Sequence, residues 1–187
     1  PALGTYSRKL IYIDYEYDLV SGNVNKVWFQ KGKPEQFMHR YRYDADNRLT
    51  HVYTSATTNV KFMSLYHKKT YLTTERIEAR YFYLPNGFLS RIELGQKNVQ
   101  GTDYAYTLQG WLKDINGVRY NELRPESGDI GLDGRLHYNS LNAEFCRDAI
   151  RSMLQYHHGD YRPISGTNYY NREYSYAVPL YNGNISA

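Results

Sequence analysis

The stretch YEYDLVSGNVNKV, Tyr15 to Val27, decides the fold. It sets two tyrosines one residue apart, then an Asp, a short polar gap, a Gly and two spaced valines. The unit returns as YRYDADNRLTHV from Tyr41, YFYLPNGFLSRI from Tyr81 and YAYTLQGWLKDI from Tyr104. Each copy carries Tyr-x-Tyr, here Tyr15 and Tyr17, Tyr41 and Tyr43, Tyr81 and Tyr83, and Tyr104 and Tyr106. Each then has Gly22, Asn47, Gly87 or Gly110, followed two residues later by an aliphatic: Val24, Leu49, Leu89 or Leu112. A second aliphatic comes three residues further on, at Val27, Val52, Ile92 or Ile115. Self-similarity of this kind, with starts about 23 to 40 residues apart, marks a repeat architecture with insertions between units.

The unit has a physical reading. Tyr-x-Tyr puts both rings on one face of a strand, because side chains alternate with period two. Asp44-Ala45-Asp46-Asn47, Leu84-Pro85-Asn86-Gly87 and Thr107-Leu108-Gln109-Gly110 then read as tight turns. Pro85 suits the second place of a type I turn, and the Asp44 carboxylate can accept turn N–H groups. Gly or Asn in the last place supplies the left-handed residue of a turn with a bulge. The first copy, with Asp18 leading its turn, is one residue longer. Each unit is therefore expected to be a β-hairpin. The flanks agree: Phe37, His39, Tyr41 and Tyr43 share one face and Gln36, Met38, Arg40 and Arg42 the other, while Ile77, Ala79, Tyr81 and Tyr83 oppose Arg76, Glu78 and Arg80. Hairpins stacked this way predict a continuous tyrosine ladder stabilised by neighbours.

Composition agrees with strands. Of 187 residues 16% are aromatic, 22 of them Tyr, and such side chains fit a pleated, half-buried surface. The length suffices for one domain with a sizeable core. The net charge of +4 comes from 23 Lys and Arg against 19 Asp and Glu, interspersed, which argues against a nucleic-acid partner. A single cysteine, Cys146, excludes an internal disulfide framework and a cysteine-rich zinc site. No apolar run approaches the roughly 18 residues of a membrane span. Pro1 is not a natural start, so the chain reads as a piece of a larger polypeptide, with open sheet edges that predict aggregation in isolation.

The Y-x-Y-D-x-x-G/N-x-L unit resembles the RHS or YD repeat of bacterial polymorphic toxins, of the cocoon-forming subunits of insecticidal toxin complexes, and of the teneurin shell. KGKPEQFMHRYRYDADNRL (Lys31 to Leu49), VQGTDYAYTLQGWLKDING (Val99 to Gly117), HHGDYRPI (His157 to Ile164) and LYNGNIS (Leu180 to Ser186) resemble RHS proteins of Bacteroidota in particular. The resemblance implies a β-strip spiralling into a hollow shell around a C-terminal toxin or effector. It also implies a secreted or cell-surface protein whose partners are the rest of its own polypeptide, the enclosed effector, and export-machinery or cell-surface proteins. The family's self-cleaving Asp motif has no counterpart, since Asp129-Ile130-Gly131-Leu132 lacks its proline, so no protease activity follows.

The region after Gly117 departs from the repeat. Residues 1–120 are expected to hold the hairpins, in units starting near 15, 41, 81 and 104, and residues 121–187 a loop, a helix and an irregular return segment of the same shell. SLNAEFCRDAIRSMLQYHH predicts an amphipathic helix over about 140–158, with Phe145, Ala149 and Met153 in one stripe beside Cys146, Ile150 and Leu154. Arg147, Asp148 and Arg151 fall on its polar face. Ser140 or Asn142 would cap its start and Gly159 mark its end. The fold class is thus mostly all-β, with one helix in the C-terminal third.

His157, His158 and Asp160 could ligate a metal, but adjacent histidines diverge and a helix C-terminus already favours His. Asp44 and Asp46 belong to a turn rather than a catalytic pair. Glu126, Asp129 and Asp133 have loose calcium-like spacing without a full ligand set. Cys146, on the expected apolar helix face, reads as a small core hydrophobe. The expectation is a non-enzyme without cofactor or metal: a structural container segment, with a surface adhesin or glycan- or protein-binding module using Trp28, Trp111 and exposed tyrosines as the alternative. The two differ in where the tyrosines point.

Overall fold

The computed structural model describes residues 10–56, 61–65, 68–72, 75–117, 130–131, 133–134, 144–161 and 178–186. The chain divides into two compact units, Pro1–Glu78 and Ala79–Ala187. The first carries β1 (Ile13–Tyr17), β2 (Val24–Phe29), β3 (Phe37–Tyr43) and β4 (Leu49–Ser55), each antiparallel to the next. A separate antiparallel pair follows, β5 (Lys61–Leu65) with β6 (Lys68–Leu72). β7 (Arg76–Tyr83) crosses the boundary and leads into β8 (Leu89–Leu94), β9 (Gln100–Tyr106) and β10 (Leu112–Ile115), again antiparallel in order. The two-residue β11 (Ser152–Met153) pairs antiparallel with β10. The described residues are thus mostly antiparallel sheet.

The four repeat units form four hairpins with one turn design. In each, two backbone bonds close the turn: Asp18 N to Asn23 O, Asp44 N to Arg48 O, Leu84 N to Phe88 O and Thr107 N to Trp111 O, with the N–H of Gly22, Asn47, Gly87 or Gly110 donating back to the turn's first carbonyl. Those four residues have φ of 75°, 60°, 90° and 87°, the left-handed region open to Gly and tolerated by Asn. A register shift beside the second tyrosine of each unit, before Tyr17, Tyr43, Tyr83 and Tyr106, is the bulge that the left-handed residue creates. Asp44 Oδ1 accepts from Asp46 N and Arg48 N at 2.9 Å each, as its place in the turn predicts. Asp18 does the same for Val20 N and Ser21 N at 3.0 and 2.7 Å.

Register sorts the side chains into two chemically different faces. In the first unit Tyr15, Val27, His39, Tyr41, Val52 and their ladder partners carry no Asp, Glu, Lys or Arg. Ring pairs run along this face, with Tyr15 6.1 Å from Tyr17 and His39 6.3 Å from Tyr41. The other face holds Glu16, Lys26, Trp28, Met38, Arg40 and Tyr53. Trp28 and Met38, directly opposed on β2 and β3, are both buried there. The second unit repeats the division: Tyr81, Ile92, Thr102 and Tyr104 stand on an uncharged face, and Arg80, Arg91, Glu93 and Asp103 on the opposite one.

The expected helix over 140–158 is corrected over its described part. Residues 144–161 contain turns, extended chain and β11, and no helix. Tertiary pairing overrides local periodicity: Leu154 N donates to Lys113 O at 2.8 Å and Asn116 Nδ2 to Ile150 O at 3.3 Å, so this backbone spends its polar groups on β10 and on Asn116 just beyond it. The proposed stripe does not form. Phe145 is buried, but Ile150 is 78% exposed, and Cys146, expected in a core, is exposed too. Ser140 and Asn142, its expected caps, lie outside the described residues.

Candidate functional site

The most elaborate cluster among the described residues is built around Arg91 in the second unit. Alternation on β8 puts Arg91 and Glu93 on one face, where their ladder partners on β9 are Asp103 and Gly101. Arg91 Nη1 donates to Asp103 Oδ2 at 2.5 Å, Nη2 to Asp133 Oδ1 at 2.7 Å and Nε to Glu93 Oε1 at 3.1 Å. Glu93 also accepts from Arg80 Nη1 at 2.9 Å. The Phe145 ring lies 4.7 Å from the guanidinium carbon, a cation–π contact. Arg91, Glu93, Asp103 and Asp133 are all buried.

Two glycines make the socket possible. A Cβ at Gly101 would fall on Arg91 Nη2 and Asp133 Oδ2, and one at Gly131 on Asp103 Oδ2 and Arg91 Nη1. The guanidinium therefore lies against bare backbone on two sides. Burial works to lower the Arg91 pKa, but the carboxylates of Asp133, Asp103 and Glu93 outweigh it, and the group stays charged. Asp103, Asp133 and Asp148 bring carboxylate oxygens within 4.8 Å of one another, the gathering best placed among the described residues to hold a cation. The guanidinium, bonded to two of the three, already supplies a positive charge there. Chemically the arrangement is a planar five-donor fork read by acceptors from β8, β9 and the turn at Asp133, a geometry that fixes segments in register.

A second cluster fastens the outer side of β10. Lys113 Nζ pairs with Asp160 Oδ1 at 2.7 Å, both side chains buried. Tyr156 N donates to Asp160 Oδ2 at 3.0 Å, Tyr156 OH to Leu112 O at 2.7 Å, and the Tyr156 ring packs 5.0 Å from Trp111. In the first unit Glu16 accepts from Lys26 Nζ at 2.9 Å, Trp28 Nε1 at 2.8 Å and Lys31 Nζ at 3.2 Å. These bonds, Lys26 first and Trp28 next, lower its pKa from 4.5 to about 2.

The repeat positions Tyr15, Tyr17, Tyr41, Tyr43, Tyr81, Tyr83, Tyr104 and Tyr106 lie on the uncharged faces, and Asp18, Gly22, Asp44, Asn47, Gly87 and Gly110 in the turns. The weighed metal set is not brought together: Asp160 is engaged by Lys113, the His157 ring stacks 4.6 Å from Tyr181, and His158 is exposed. Asp44 and Asp46 sit in the turn with Arg48 paired to both. Asp133 belongs to the Arg91 socket, while Glu126 and Asp129 lie outside the described residues. Sequence reasoning passed over Arg91, Glu93, Gly101 and Asp103, although the alternation of LSRIEL and QGTDY puts all four on the face opposite the tyrosines. No family model, curated protein or solved structure matches the chain.

Proposed function

We propose that this chain is a wall segment of a large exported polypeptide of the RHS or YD-repeat type, whose β-shell encloses or carries a C-terminal toxin or effector domain. The observation that carries this reading is the two-faced sheet, present in each unit: an uncharged, tyrosine-rich face and a face holding the ion pairs. A wall separates two environments, and within each unit hairpins of one turn design set an uncharged face against a charged one. The arrangement supports a scaffold rather than a catalyst. Trp28 and Met38 pack on the charged face, leaving the tyrosine face as a lining surface. In this reading the protein works outside the cytoplasm, and its partners are its own remaining repeats, the enclosed domain and the machinery or surface that receives it.

The adhesin reading rests on one observation, that Tyr15 and Tyr17 are 53% and 56% exposed and so could stack on a glycan or a partner protein. Intact mass and peptide mapping of the native polypeptide separate the two. The wall reading expects further hairpin repeats and an unrelated domain on the C-terminal side. A polypeptide with too few repeats to close a shell, and no such domain, overturns it in favour of the adhesin.

A further inference from the structure

The outer edge of β10 is closed by an irregular segment rather than by another hairpin. Asp114 and Ile115 pair with Met153 and Ser152, and Leu154 N bonds Lys113 O at 2.8 Å. Short, irregular edge pieces of this kind are how a sheet keeps an edge from pairing with another chain. The segment is fastened at both ends: Lys113 and Asp160 hold one, and at the other Phe145 stacks on Arg91 while Gly134 sits so close to Arg147 that a Cβ there would overlap it. Asp133, next to Gly134, is bonded to Arg91, so one guanidinium ties the turn and the segment to the sheet.

We propose that residues 144–161 are an edge cap on β10, clasped by Arg91, and that opening the clasp exposes β10 to strand addition by a second copy of this chain. The second copy brings a strand for it: β1 ends the strand order among the described residues, and Leu10, Ile11, Tyr12 and Ile13, at and just before its start, are each more than half exposed. Addition of β1 of one copy to β10 of another is heterologous, so it produces concentration-dependent rings or chains rather than a two-fold dimer.

Two variants test the cap by separate routes. Arg91→Ala removes the clasp, and Leu154→Pro removes the backbone donor to Lys113 while leaving every charge in place. Both are expected to speed amide exchange over Lys113–Ile115 about tenfold or more, equivalent to about 1.4 kcal/mol, and to give a weight-average mass that rises with concentration in sedimentation. The hairpins of the first unit should keep their protection. Free guanidinium at sub-denaturing concentration should restore protection in Arg91→Ala alone, because only that variant leaves an empty carboxylate-lined slot. Unchanged exchange on β10 in Leu154→Pro, or exposure there without self-association, overturns the cap. Cap opening in Leu154→Pro alone, with Arg91→Ala at wild-type protection or beyond rescue by guanidinium, overturns the clasp.

Discussion

Gly101→Ala should be far more damaging than its size suggests. The added methyl falls on Arg91 Nη2 and Asp133 Oδ2, and both neighbours are buried, so neither can step aside into water. The guanidinium must leave its place between Asp103 and Asp133, which strands carboxylates whose side chains are 8% and 0% exposed. Breaking a buried pair in this way costs about 3–5 kcal/mol. Gly22→Ala is the control: its φ is 75° and nothing stands within 4 Å of an added Cβ, so only left-handed strain remains, about 1–2 kcal/mol. Peptide-resolved hydrogen exchange assigns each loss to its own unit, since Gly22 lies in the first and Gly101 in the second. Gly101→Ala should strip protection from β8 and β9, and Gly22→Ala should lower it modestly over β1 and β2. Equal effects, or a smaller one at Gly101, would refute the claim that the arginine socket organises the second unit.

Three further outcomes follow from named contacts. Met38→Ala removes a buried side chain packed against Trp28 and should cost about 2–5 kcal/mol, read as lost protection over β2 and β3. Asn47→Gly should leave the β3–β4 hairpin within a few tenths of a kcal/mol, whereas Asn47→Val should cost about 1–2 kcal/mol, because φ there is 60°. The Glu16 pKa is depressed on folding, so its stabilising contribution is present above pH 4.5 and is lost as pH falls toward about 2. Its side chain is 38% exposed, so screening holds the effect to under about 1 kcal/mol, and wild type and Glu16→Gln should converge in first-unit protection near the acid end of that window.

The hairpins were legible because their determinants are local. A left-handed Gly or Asn, four or five residues after a tyrosine pair, fixes turn, bulge and register without help from distant chain, and Gly22, Asn47, Gly87 and Gly110 all take the φ that the spacing demands. The region after Gly117 was not legible for the opposite reason. Phe145, Ile150 and Met153 carry helical spacing, but β10 offers backbone partners that sequence spacing does not reveal, and the chain pairs with them. The Arg91 socket lies between these cases: alternation places Arg91, Glu93 and Asp103 on one face, yet only the fold brings Asp133, 42 residues away, onto the guanidinium. The same alternation showed Met38 beside Arg40 but not that this charged face buries Trp28 and Met38 while Tyr15 and Tyr17 stay half open.

Hydroxyl-radical footprinting of Tyr15 and Tyr17 in the native polypeptide, set against the same tyrosines in the isolated 187-residue chain, asks which way the uncharged face turns. A wall that encloses a domain predicts strong protection of both rings in the native polypeptide and free labelling in the isolated chain. Equal labelling in the two would leave the tyrosines facing the outside medium and contradict the container.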